Sequence, residues 1–216
     1  MDFAGAYSSE NLSFLLDGLW ITLIVAFASI VLSFVLGCIA GIIRYTQIPV
    51  LSLVTFVLVE LIRNLPLLLI IFFTRFALPE VGIRLGPIAA AITALTVFEA
   101  AMISEIVRGG LASVDKGQIE AARSSGLNRV QTLWHIVLPQ GLRRMVPPMV
   151  SQFISLLKDT SLAVVISLAD LMHNAGIIIG HGFNYTIPIL LLVALIYFTV
   201  NYLLSLLSRR LESKTA

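Results

Sequence analysis

The sequence predicts an all-α polytopic membrane protein with five transmembrane helices. Hydrophobic residues occupy 58% of its 216 positions and charged residues 12%, whereas soluble domains contain about 25% charged residues. The mean hydropathy is +1.00. Two stretches, residues 18–43 and 182–208, contain no charged side chain, and each exceeds the ~20 residues that a helix needs to span a bilayer. We therefore expect a single transmembrane domain over residues 1–216.

Three further spans complete the predicted five. Residues 50–78 are apolar, but charged residues and Pro66 interrupt them near the middle. Neither half would cross a ~30 Å hydrocarbon core by itself, so we expect one kinked helix here. A third helix is expected over about residues 87–107 and a fourth over about residues 147–168. A longer connection that does not span, residues 167–186, leads to the fifth.

The longest polar interval between hydrophobic segments, residues 115–139, contains helical signals of its own. Asp115 with Gln118, and Asn128 with Gln131, are each typical of a capping box. A glycine between them is typical of a helix end. The second helix has an apolar face at helical spacing, formed by Val130, Leu133, Trp134, Val137 and Leu138. A proline then predicts the end of this helix.

The same interval contains a long, spaced motif with the pattern EAA-x3-G-x9-I-x-L-P. Its residues are Glu120, Ala121, Ala122, Gly126, Ile136, Leu138 and Pro139. The motif resembles the EAA loop of the membrane subunits of ATP-binding cassette importers, and every position of that pattern is filled. The resemblance implies the type I importer permease fold, whose cytoplasmic coupling helices dock into a cleft on a separate ATPase. The alternative is an ordinary loop helix lying on the membrane surface.

Two further segments, residues 63–68 and 158–162, are similar to the polar amino acid branch of this transporter family. This similarity extends over about residues 12–210 and implies import of a polar amino acid. Residues 98–101 suggest glutamate, aspartate or glutamine, although a buried carboxylate would equally suit a basic amino acid. The implied partners are two ATP-binding subunits, a second identical or different permease and an extracytoplasmic solute-binding protein.

The chain itself contains no phosphate-binding Gly-Lys-Ser/Thr loop. The resemblance accordingly places ATP and Mg²⁺ on the partner ATPase. We expect no cofactor, metal site or catalytic residue in this chain, and no nucleic acid among its partners.

Basic residues outside the spans indicate the orientation in the cell membrane. Two of them, Arg75 and Arg84, fall on one side. The ten on the other side are Arg44, Arg108, Lys116, Arg123, Arg129, Arg143, Arg144, Arg209, Arg210 and Lys214. Because cytoplasmic loops carry an excess of Lys and Arg, we expect residues 115–139 and the C-terminus in the cytoplasm and the N-terminus outside.

Polar residues at bilayer depth are candidates for the substrate path, because burying them in hydrocarbon is costly. The candidates are Glu60, Arg63, Glu99, Lys158 and Asp159, with Asn64, Thr160 and Ser161 as neutral partners. Several have a structural alternative. Arg63 would form an i,i+3 pair with Glu60 at the kink, and the two hydroxyls would bond to carbonyls one turn earlier.

Glu99 is the sharpest of these candidates, because it interrupts an apolar helix beside Ala100 and Ala101. Either it meets the ammonium group of the substrate, or it belongs to a tightly packed hydrogen-bond network. Its own helix has no basic residue within four positions, so its partner must come from another helix, from water or from the substrate. Arg63 and Lys158 are the basic residues expected elsewhere at bilayer depth. Glu105 is expected to pair with Arg108 three residues later.

Two other functions are compatible with intramembrane polar residues. A secondary transporter would couple transport to protons through Glu99 or Asp159, although five helices without an inverted repeat differ from the usual plan of such carriers. A structural membrane subunit would scaffold an enzyme complex, but it would not need charges inside the bilayer. The motif in residues 115–139 favours the importer permease.

Overall fold

The computed structural model describes residues 1–215 of the chain, and the side chains of residues 1–206. The described residues form helices without any β-strand, which confirms the all-α prediction. In chain order the helices are α1 (Phe3–Ala6), α2 (Ser9–Thr46), α3 (Leu51–Arg63), α4 (Leu67–Phe72), α5 (Pro87–Ala112), α6 (Lys116–Ser124), α7 (Arg129–Thr132), α8 (Leu138–Asp159), α9 (Leu171–Gly180) and α10 (Thr186–Thr215).

Short segments of other helix types extend several of these helices. Phe73–Ala77 and Leu133–Val137 are π-helical, and Leu78–Val81, Thr160–Ile166 and Phe183–Tyr185 are 3-10 helices. They lengthen α4, join α7 to α8, continue α8 and lead into α10.

Within residues 1–215, four helical stretches are long and apolar enough to cross a membrane. They are Ser9–Thr46, Pro87–Ala112, Arg129–Ile166 and Phe183–Leu206. Leu51–Arg63 together with Leu67–Val81 makes a fifth if that bent pair is counted as one span. The multi-pass character predicted from the sequence is thus confirmed.

The first and third spans run further than the residue ranges expected from the sequence. The Ser8 hydroxyl caps α2 by accepting a hydrogen bond from Asn11 N at 3.4 Å, and α2 continues past Arg44. Helix α5 likewise continues past Arg108. Arginine is a good helix former, so a charge at the edge of the bilayer does not by itself end a helix.

The second span is broken, and the expected kinked helix is therefore wrong in degree. Its two parts, α3 and Leu67–Val81, meet at 103°. The Asn64 side chain donates a hydrogen bond to the Glu60 carbonyl at 2.7 Å and so closes the end of α3. Pro66 has no N–H with which to continue the helix, and its carbonyl accepts from Leu69 N at the start of α4.

The interior is organised around the long contact between α2 and α5. Gly37 and Gly41 on α2 face Ile103 and Val107 on α5, and a Cβ added to either glycine would lie 2.6 Å from those side chains. Because glycine has no Cβ, the backbones of the two helices can approach closely at these two positions. Helix α5 has buried residues along almost its whole length and is the central helix of the fold.

The connection before the last span is ordered around α9, which is too short to cross a membrane. Asp170 caps the start of α9 with its side chain. Thr22 accepts a hydrogen bond from Leu171 N at 3.1 Å, and Asn174 donates to the Phe14 carbonyl at 2.7 Å. These bonds hold α9 against the beginning of α2.

Candidate functional site

The polar interval between α5 and α8 folds back on α8 through its side chains. Asp115 caps α6 by accepting a hydrogen bond from Gly117 N at 2.7 Å. The Gln118 side chain does not complete the predicted capping box, because its Oε1 accepts from Gln140 Nε2 at 2.7 Å instead. This contact ties α6 to the beginning of the fourth span.

The three residues at the start of the spaced motif point to different sides of α6. Glu120 and Ala121 are exposed, whereas Ala122 is buried. Ile119, one turn before Ala122, packs against the apolar cluster that contains Val137. The small size of Ala122 therefore serves packing within this chain, and Glu120 with Ala121 is the part that a partner could contact.

Gly126 follows the end of α6 as predicted, and its backbone conformation explains why a glycine occupies this position. Its φ is +91°, a value that residues with a Cβ rarely adopt. Gly126 N donates to the Arg123 carbonyl at 3.1 Å, and Leu127 N donates to the Ala122 carbonyl at 3.2 Å. A Cβ at Gly126 would meet nothing within 4 Å among the described residues. The glycine is therefore required by its backbone conformation and not by a lack of space for a side chain.

The second helix of the polar interval begins at α7 with the predicted capping box, but it does not end where expected. Asn128 and Gln131 exchange two hydrogen bonds of 2.9 Å each. Pro139 was predicted to end the helix, and this is wrong. The chain continues through the π-helical turn Leu133–Val137 into α8, and Pro139 lies in the first turn of α8, where a missing N–H does little harm.

The apolar face of the second coupling helix is covered on one side. Leu133, Val137 and Leu138 pack against residues of α5 and α8, and Ile136 is partly buried. Val130 and Trp134 belong to the same predicted face but are 63% and 62% exposed. Glu120, Ala121, Val130 and Trp134 are thus exposed residues that a partner could contact, and we call them the outward surface.

Glu99 lies inside the protein with 1% of its surface exposed. Gln152 Nε2, on α8, donates a hydrogen bond to Glu99 Oε2 at 3.2 Å. The prediction of a partner from outside α5 is confirmed, but neither Arg63 nor Lys158 takes this role. Glu99 Oε1 has no hydrogen-bond partner among the described residues.

Gln152 is a residue that sequence reasoning missed. It interrupts the apolar stretch before Lys158 in the same way that Glu99 interrupts α5, and this interruption was the available signal. An amide inside a membrane helix requires a polar partner, and here that partner is a carboxylate.

The polar segment at the end of α8 separates into exposed and buried residues. Lys158 is exposed, Asp159 is partly buried and Thr160 is buried. Thr160 and Ser161 each donate a hydrogen bond of 2.7 Å to the carbonyl three residues earlier, which confirms their predicted structural alternative.

Five charged side chains from the three helices α2, α3 and α5 meet in one cluster. We call them the ionic cluster, and they are Arg44, Glu60, Arg63, Glu105 and Arg108. The predicted pairs Glu60–Arg63 and Glu105–Arg108 are both present. Sequence reasoning had treated Arg44 only as the end of the first span and missed its buried position.

Comparison with known proteins places the chain among transport proteins. Residues 33–216 match the family described as the binding-protein-dependent transport system inner membrane component. The chain is 69% identical over 214 residues to the probable glutamine ABC transporter permease protein GlnP of Bacillus subtilis, covering 98% of each chain. It is 35% identical over 202 residues to the glutamine transport system permease protein GlnP of Escherichia coli, covering 93% of this chain and 92% of that relative.

Solved structures have the same fold. The chain superimposes with a TM-score of 0.91 and 28% identity on the crystal structure of an amino acid ABC transporter with histidines, covering 99% of both chains. The inward-facing MetNI methionine ABC transporter gives 0.82 at 24% identity, covering 97% of this chain and 99% of that one, and supports the fold. The importer permease fold expected from the spaced motif is thereby confirmed, and the chain belongs to the family of binding-protein-dependent transport system inner membrane components.

Proposed function

We propose that this chain is the permease subunit of an ATP-driven importer of a polar amino acid, with glutamine as the first substrate to test. The relatives at 69% and 35% identity are both named for glutamine. Their similarity extends over almost the whole chain. Glutamine also suits a path that contains both a carboxylate and an amide, because its zwitterionic head and neutral side chain need both kinds of partner.

The observation that carries this proposal is the outward surface of the coupling helices. Glu120 and Ala121 are exposed on α6, and Gly126 holds the turn that positions α6 against α7. We infer that this surface docks on a separate ATPase, which binds ATP and Mg²⁺. Glu120 is the residue that would meet a basic group there. Ile136, Leu138 and Pro139, at the junction with α8, would fix the angle of the second helix.

The remaining partners follow from the same proposal. Two ATPase subunits would serve a pair of permeases, formed by two copies of this chain or by this chain with a related one. A solute-binding protein would deliver the substrate at the face of the membrane opposite the coupling helices. The excess of basic residues near the coupling helices supports a cytoplasmic location for them and an extracytoplasmic N-terminus.

The substrate path is proposed to pass between α5 and the end of α8. Glu99 Oε1 has no partner in the described part of the chain and would accept a hydrogen bond from the substrate ammonium. Lys158 is exposed in the last turn of α8 and would attract the substrate carboxylate. Asp159, Thr160 and Ser161 would line the same segment, and Arg63 with Asn64 would lie at the break in the second span.

Uptake into proteoliposomes tests the proposal. The chain is reconstituted with its ATPase, its second permease where one is needed and its solute-binding protein, and radiolabelled glutamine is supplied with ATP. We expect uptake that requires ATP hydrolysis and that unlabelled glutamine inhibits more strongly than glutamate, aspartate or arginine. Uptake driven by a proton gradient without the ATPase would contradict the proposal, and inhibition by arginine alone would reassign the substrate.

A further inference from the structure

Arg44 is the centre of the ionic cluster. Its Nη2 lies 3.0 Å from Glu105 Oε2 on α5 and 3.6 Å from Glu60 Oε1 on α3. Its Nη1 donates a hydrogen bond to Ser104 Oγ at 3.3 Å. The side chain is 4% exposed, and a buried guanidinium is stable only when carboxylates or other acceptors surround it.

Helix α3 has little buried surface apart from the ionic cluster. Among the described residues, Val59 is the one buried position of α3, whereas α5 has buried residues from Ala90 to Leu111. Few apolar contacts therefore hold α3 against α2 and α5. The contacts of Glu60 with Arg44 and of Arg63 with Glu105 are consequently a large share of what positions this helix.

Helix α3 is a separate helix from the rest of its span. The 103° break after Arg63 separates α3 from α4. On the other side of the cluster, α5 leads almost directly into the coupling helices, because α5 ends at Ala112 and α6 begins at Lys116. Arg144 donates a hydrogen bond to the Ser113 carbonyl in this short link and so ties it to α8.

We propose that Arg44 is a positioning residue for coupled transport. Arg44 holds Glu105 on α5 and Glu60 on α3 at the same time, so that a displacement of the coupling helices reaches α3 through α5. Helix α3 then turns at its broken end and changes the access to the substrate path. This inference rests on the proposed function, since it gives a route by which ATP hydrolysis would act on the membrane domain.

The test measures glutamine molecules transported per ATP hydrolysed in the reconstituted complex. Arg44→Gln removes both charge contacts, and we expect it to lower this ratio within the range of typical coupling between sites, about five- to 150-fold, while ATP hydrolysis continues. Arg44→Lys keeps the positive charge and should retain part of the transport-to-ATP ratio of the unmodified complex. Arg75→Gln is the matched control, because Arg75 donates to the Leu85 carbonyl and lies outside the ionic cluster.

Glu60→Gln provides a second route if Arg44→Gln fails to assemble. Glu60 is 37% exposed, and its neutralisation leaves the buried Arg44 paired with Glu105, so this variant should assemble and lower the same ratio. An unchanged ratio in both Arg44→Gln and Glu60→Gln would overturn the inference. Arg44→Gln could instead lower transport and ATP hydrolysis equally. If neither Arg44→Lys nor a lower temperature restored the two activities, the inference would also be overturned, because the loss would then indicate a structural role. Absence of ATP-driven uptake in the unmodified complex would instead contradict the proposed function.

Discussion

Gln152 donates a hydrogen bond to Glu99 across 3.2 Å and joins α8 to α5. Glu99 is 1% exposed, so this bond pairs a carboxylate with an amide in the interior of a membrane domain, while Glu99 Oε1 has no partner among the described residues. The contact has two possible uses, since it stabilises the packing of the two helices and also holds a carboxylate ready for a substrate. The two uses predict different effects of neutralising Glu99.

Glu99→Gln tests them directly. The substitution keeps the shape of the side chain and a hydrogen bond to Gln152, so we expect normal assembly and normal basal ATP hydrolysis. If Glu99 accepts the substrate ammonium, apparent affinity should fall by about ten- to 100-fold, in keeping with the loss of about 1–3 kcal/mol for a charge-assisted hydrogen bond. Transport and thermal stability are measured side by side.

Gln152→Leu is the companion variant for Glu99. It removes the observed partner and leaves the carboxylate buried, so we expect a loss of stability of about 1–3 kcal/mol. Normal transport together with normal stability in Glu99→Gln would remove Glu99 from the substrate path.

Gly126→Ala should destabilise the turn between the coupling helices. The φ of +91° is unfavourable for any residue with a Cβ, and we expect a cost of about 1–2 kcal/mol. Gly109→Ala is the matched control, because Gly109 lies within a helix and a Cβ there also meets nothing within 4 Å. Thermal unfolding of the purified chain should show a lower Tm for Gly126→Ala and no loss for Gly109→Ala.

Gly126→Trp combines the same backbone strain with added bulk on the outward surface. We expect it to reduce both co-purification of the ATPase and uptake, while the membrane domain still folds. Unchanged uptake and co-purification would show that this turn does not face the partner.

Glu120→Arg should weaken docking of the ATPase without unfolding the chain. Glu120 is exposed on α6, and reversing its charge would place it against a basic group on the partner, where like charges repel. We expect co-purification to fall by about tenfold or more and to depend on salt concentration. The control is Glu80→Arg, because Glu80 is exposed in the 3-10 helix Leu78–Val81, far along the chain from α6. Equal effects of the two reversals would contradict a specific contact.

Asp170 predicts a pH dependence of stability. Burial raises the pKa of its carboxyl, although backbone hydrogen bonds from His173 and Met172 oppose this effect. The folded state therefore binds the proton more tightly than the unfolded state, and stability falls as the pH rises from the ordinary Asp value of about 4 through the raised one. Asp170→Asn keeps a good helix cap and cannot ionise.

We accordingly expect the Tm advantage of Asp170→Asn over the unmodified chain to grow as the pH increases from about 4 to 8. Asp17→Asn is the control, because Asp17 is exposed on α2, and its Tm difference should change little over this range. A Tm difference for Asp170→Asn that stays constant with pH would contradict the raised pKa.

Features that depend on neighbours along the chain were predictable from the sequence. Long uncharged stretches determined the membrane class, and side chains three residues apart determined the pairs Glu60–Arg63 and Glu105–Arg108. The capping box of Asn128 with Gln131 and the need for Gly126 follow from the same local geometry. Each of these depends on helix periodicity or backbone conformation within one or two turns, and not on where the helices lie relative to one another.

Contacts between distant helices were decided by the tertiary structure. The sequence showed that Glu99 needed a partner but not that Gln152, 53 residues away, would supply it. It likewise placed Arg44 at the end of a span without indicating that Arg44 bridges Glu60 and Glu105. A buried polar group must be satisfied, but several polar residues lie at similar depths. The rotation and close packing of the helices, made possible at Gly37 and Gly41, select which of them meet.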